Sequence, residues 1–166
     1  MSSTDVGAQT AGQTANSLGV DMNLEVMTLP VADVDRSKAF YQNLGWRLDA
    51  DLNISAEFRV VQFTPPGSQA SIRFGIGVKD ATPGSSVSLD LAVQDVGAAG
   101  ADLLARGVQV SEVFHGRGGI SHLTGPANRV SGPDPQARSY QSFIAFEDPD
   151  GNSWILQEIK ERLPGR

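Results

Sequence analysis

Two histidines, His115 and His122, are the only side chains here whose ordinary pKa lies near neutrality. Either could act as a general acid or base, although a surface or loop-bracing histidine is the more common role. Both fall in one irregular stretch, rich in Gly and Pro, that runs from His115 to Arg138 and also holds Arg129. Tyr140 follows at its return. Arg73 could hold a carboxylate, phenolate or carbonyl oxygen. Asp90 could accept a proton if partial burial raised its pKa. The ordinary expectation for both is pairing or solvation. Ser88 and Gln157 could orient a ligand or satisfy each other by hydrogen bonds. Cysteine is absent, which excludes disulfides, thiolate nucleophiles and Cys-based zinc sites. The Gly clusters lack the strand-to-helix setting of a phosphate loop, and no serine nucleophile elbow is present.

The elements that must carry these residues are written twice. Leu29–Trp46 (LPVADVDRSKAFYQNLGW) and Leu91–Val108 (LAVQDVGAAGADLLARGV) align without a gap at an offset of 62 residues. Asp33/Asp95 fall where an N-cap belongs, and Gly45/Gly107 suit the position just past a helix C-terminus. Val34, Ser37, Tyr41 and Leu44 recur at helical spacing, as do Val96, Ala99 and Leu103. Strand-like segments follow each helix: 48–52, 58–64 and 70–76, then 109–114, 139–146 and 153–159. Pro65-Pro66-Gly67-Ser68 and Asp148-Pro149-Asp150-Gly151 break hairpins. The pattern is βαβββ, twice: an α+β chain with modules at about 23–80 and 85–160. Residues 1–21 read as a flexible tail before a single domain at 22–160, and 161–166 as a short C-terminal tail.

Composition narrows the partners. The chain has 166 residues, 40% hydrophobic, with formal net charge −6. An acidic chain without Lys/Arg runs is a poor match for nucleic acid. No apolar run is long enough to span a bilayer, and residues 1–19 lack a signal core. A cytoplasmic protein is expected.

The opening segment LPVADVDRSKAFYQNLGW and the closing segment FEDPDGNSWILQE resemble those of the vicinal-oxygen-chelate superfamily. This group includes glyoxalases, dioxygenases and bleomycin-resistance proteins. The resemblance spans about Asn23 to Glu158. It implies a cup-shaped mixed sheet with helices outside, and in the enzymes a divalent metal held by His, Gln or Glu. The corresponding positions here are Val26, Ser88, Ile155 and Arg73. None is a usual divalent-metal ligand, so neither a metal at that site nor a cofactor is expected. Strand alternation places Thr28 with Val26, Asp90 with Ser88, and Gln157 with Ile155 on the cup-lining faces.

Trp46, Phe63, Phe114 and Trp154 are expected in the core. The resulting expectation is a metal-independent binder of a small organic, aromatic or drug-like molecule, acting as a homodimer. The alternatives are a metal-free isomerase or lyase using Asp90 or His115, and a metal-dependent lyase or dioxygenase with atypical ligands. A further alternative is a structural module binding protein at the cup edge.

Overall fold

The computed structural model describes residues 22–78, 81–117 and 125–164. The tail expected over residues 1–21, the candidate His122 and the final two residues lie outside the described set.

Each half begins with a short strand that delivers the chain to a capped helix. In the first half β1 (Val26–Thr28) leads to α1 (Val34–Asn43), and in the second β5 (Leu89–Val93) leads to α2 (Val96–Ala105). The Asp33 carboxylate accepts from the Arg36 N–H at 3.0 Å, and that of Asp95 from the Ala98 N–H at 2.9 Å. Both helices end in the same paired motif. Gly45 and Gly107 adopt φ of 76° and 79°. The Trp46 and Val108 N–H groups then return to the carbonyls of Tyr41 and Leu103. Two orphaned helix carbonyls are satisfied in each copy. The duplication seen in the sequence therefore extends to the hydrogen bonds.

The first half continues through β2 (Arg47–Ser55), β3 (Phe58–Thr64) and β4 (Ser71–Ile76), giving strand order β1-β4-β3-β2. The second contains β6 (Phe114–Gly116), β7 (Arg129–Ser131), β8 (Ser142–Glu147) and β9 (Ser153–Glu158), in the order β5-β9-β8-β6-β7. The opening strand of each half runs parallel to the closing one, and the remaining pairs are antiparallel. This is the α+β architecture the repeat implies.

Three departures from the expected elements bear on the site. The strand expected at 109–114 is reduced to a single bridge, Val110 with Phe146, before β6. There the Ser111 hydroxyl accepts the Ala145 N–H at 2.9 Å, so a side chain replaces a ladder carbonyl. The stretch expected as a long loop contains β7, which adds a fifth strand beside β6. Ser88 precedes β5 rather than belonging to it, because its φ of 52° interrupts extended backbone.

One core joins the halves. Val61, Phe63, Ile72 and Phe74 of the first sheet share a buried cluster with Ile144, Phe146, Trp154 and Leu156 of the second. Trp46 stands edge-on to Trp154, their ring centroids 5.3 Å apart. The turn after β8 locks this junction. Asp148, buried, accepts from the Tyr41 hydroxyl at 2.9 Å and from Asn152 Nδ2 at 2.8 Å. Asn152 Nδ2 also reaches the Pro30 carbonyl, and Asp150 accepts from Arg36 and the Ala32 N–H. The Asp148-Pro149-Asp150-Gly151 segment is thus a hairpin turn and also a clamp between modules.

Candidate functional site

Strand register decides which side chains share a face. On the first sheet Val26 lies opposite Ser71, and Thr28 opposite Arg73, which in turn faces Gln62. On the second, Asp90 lies opposite Ile155 and Ile155 opposite Ala145; Ala92 pairs with Gln157, Gln157 with Phe143, and Phe143 with Phe114. In each half these residues alternate with those of the shared core. The two outer faces therefore turn away from the core that joins the modules.

The second face carries a small apolar floor of its own, formed by Phe114, Phe143 and Ile155 with Ala145 packed against them. Phe114 is buried as expected, but on this outer side rather than in the main core. A cavity of about 530 Å³ opens beside the floor, with Ser88, Pro126, Arg129, Ala145, Glu147 and Ile155 in its wall. All of these come from the second module. Ser88 is held there by its N–H, which donates to the Ser153 hydroxyl at 2.8 Å.

Arg129 is the residue that the sequence reading left out of the site. Its guanidinium carbon lies 4.2 Å from the centroid of the Phe114 ring, a cation–π contact. Its Nε is buried and has no hydrogen-bond partner among the described residues. An unpaired buried donor costs about 1–3 kcal/mol. The available signal was its place in the Gly/Pro-rich segment; what was missing was β7, which sets Arg129 on the outer face opposite Gly116.

The remaining candidates are dispersed. Arg73 is exposed, and its Nε donates to Thr28 Oγ1 at 2.9 Å on the first sheet's face, beside Val26. Asp90 lines a separate cavity of about 410 Å³ with Trp46, Pro65, Asp102 and Arg162. Gln157 Nε2 donates to the Tyr140 carbonyl at 3.1 Å, and Tyr140 adopts φ of 69° near the end of β9. Neither lines the cavity over Ile155. His115 pairs with Ser142 and so points to the opposite side from Phe114; its Nδ1 lies 2.8 Å from the Gly132 carbonyl. It is not brought to Ser88 or Ile155.

Electrostatics divide in the same way. Arg138 bonds to Asp134 with its side chain and backbone, and this holds the Asp134 carboxyl well below the usual range. Arg59 and Lys38 do the same for Asp51 against α1. Burial, then Asp148, pushes the Tyr41 phenol far above its ordinary value. These groups brace the fold and lie outside the cavity.

The register also settles the correspondence between halves. Thr28 pairs with Arg73 as Asp90, 62 residues further on, pairs with Ile155, so Arg73 is the counterpart of Ile155. A valine, a serine, an arginine and an isoleucine offer no imidazole or carboxylate to a divalent ion. No group of three or more His, Cys, Asp or Glu among the described residues could hold one. These residues do not fit the metal that the fold implies.

A family model for the Glyoxalase/Bleomycin resistance protein/Dioxygenase superfamily matches residues 23–156, and the chain belongs to that superfamily. Among solved structures it is similar to TnmS3, an antibiotic binding protein from Streptomyces sp. CB03234. The identity is 27%, covering 84% of this chain and 97% of that one, with TM-score 0.61. A glyoxalase/bleomycin resistance protein from the same organism is 28% identical, covering 82% of this chain and 100% of that one, with TM-score 0.59. A superfamily member from Sphaerobacter thermophilus DSM 20745, at 23% identity over 83% and 98% of the two chains and TM-score 0.61, shares the fold. A search of curated proteins finds none that matches. Among the described residues no helix is long and apolar enough to cross a membrane.

Proposed function

We propose that this protein is a metal-independent binder of a small aromatic molecule of antibiotic type, held against the outer face of the second sheet. The observation that carries this reading is the cavity over Ile155. Where the superfamily's enzymes place a metal ligand, this chain places an aliphatic side chain. Around it lie an apolar floor and a few polar groups, the composition of a pocket for an organic ligand. The similarity to an antibiotic binding protein supports the same class of ligand. His115 faces away from the cavity, which favours holding a ligand over proton transfer.

The reading includes a homodimer, in the cytoplasm. Among the described residues the cavity wall contains none from the first module, and the first sheet's outer face leaves Leu52 56% exposed next to Val60. A two-fold arrangement would lay the first face of one copy over the second face of the other and make two equivalent cups.

Thermal melting against a panel of aromatic antibiotics, with chelator present throughout, tests the proposal. A binder of this kind gains Tm with ligand concentration, by about 2.7 kcal/mol of stabilisation at a hundred times Kd. No shift with any compound, or chemical turnover of the one that binds, would contradict it.

A further inference from the structure

Arg36, Arg47, Arg59, Arg106 and Arg138 each form an ion pair with an aspartate. Among the described residues Arg129 forms none: its contact there is with the Phe114 ring, and its Nε–H is buried without a partner. A guanidinium stacked on an aromatic face has its plane fixed while its N–H edge remains available. Arg129 itself is in the wall of the cavity over Ile155.

We propose that Arg129 is the anchor for an anionic oxygen, a carboxylate or phenolate, carried on the aromatic ligand of this cavity. The proposal rests on the binding function given above and adds the charge of the ligand to it. The ligand's rings cover Ile155 and Ala145, and its anionic group meets the Arg129 fork. Charge-assisted bonds to a planar fork are stronger than neutral ones and fix orientation. Glu147 is also in the wall, but it is exposed, so water screens its charge more than that of the half-buried Arg129. Ser88, at the same wall, supplies a hydroxyl for a second oxygen. Arg73 was the sequence-level candidate for this task; it is exposed and bonded to Thr28 on the other sheet.

The test uses the full chain with two probes of nearly equal shape, 2-naphthoate and 2-naphthamide, and measures Kd for each by calorimetry. The wild type should prefer the carboxylate by about tenfold or more. Arg129→Gln should bring that preference below about twofold by weakening the carboxylate far more than the amide, as expected for loss of a charge-assisted contact. Arg129→Lys should keep part of the preference, because the charge remains while the fork is lost. It also serves as the second variant should the glutamine form melt early. If the wild type binds both probes equally, or Arg129→Gln keeps the preference, the anchor is refuted while aromatic binding stands. If the wild type binds neither probe, the aromatic-ligand reading fails, and the anchor with it.

Discussion

Removing the Tyr41 hydroxyl (Tyr41→Phe) should separate the two modules energetically more than any single surface change. That oxygen donates to Asp148 Oδ2 at 2.9 Å and accepts from the indole N–H of Trp154 at 3.2 Å. All three residues are buried. The phenyl ring keeps its contacts with Trp46, Phe63 and Phe74, so the packing loss is small. Asp148 Oδ2 keeps Asn152 as a donor, which limits the cost on that side. A hydrogen bond to a charged group is worth about 1.5–3 kcal/mol, and an orphaned buried donor costs about 1–3 kcal/mol. The two are coupled and do not simply add, so we expect a loss of about 2–4 kcal/mol. For a chain of this size that corresponds to roughly 4–16 °C in Tm. Urea unfolding followed by circular dichroism measures it, with an unchanged slope showing that the unfolded state is the same. A loss below about 0.5 kcal/mol would refute the assignment of this cluster as the clamp, since surface changes fall in that range.

Titration supplies two further outcomes. Tyr41 has a raised phenol pKa, so its stabilisation is complete below about pH 10, the unfolded-chain value, and falls as pH rises above it. Its phenolate absorbance should appear together with alkaline unfolding and not before. Asp51 and Asp134 are held low by Arg59 and Arg138 respectively. Their contribution is present above about pH 4 and disappears as pH falls through the depressed folded values. Asp134→Asn should therefore flatten the acid limb of a stability–pH curve; an unchanged limb would remove Asp134 from that account. Gly107→Ala forces a side chain into φ of 79° with open space around it, so the cost is backbone strain alone. About 1–2 kcal/mol is expected by denaturant unfolding.

The fold was legible because its signals are local and repeated. Asp33/Asp95 and Gly45/Gly107 act within one helix turn, so their spacing identifies both modules and the offset between them. The faces on which Val26 and Ile155 lie were legible by alternation within strands that the structure keeps. The errors sit where backbone departs from alternation. Ser88 at φ of 52° ends the pattern before β5. A side-chain bond from Ser111 cancels the strand expected at 109–114. His115 followed the same failure: one residue from Phe114 on a three-residue strand, it turns to the other face. Arg129 needed tertiary knowledge, because a short strand formed only by pairing with β6 determines where it points. The clamp role of Asp148 and Asp150 was hidden for a similar reason. Their hydrogen-bond partners Tyr41, Arg36 and Ala32 lie more than a hundred residues away.

The most direct test of the account is calorimetric titration of the compound that gives the largest melting shift, with and without a strong chelator and then with added zinc or manganese. An aliphatic Ile155 at a ligand position and a cavity of side-chain groups predict the same Kd, within about twofold, in all conditions. Binding that disappears with chelator and returns with one equivalent of metal would contradict it.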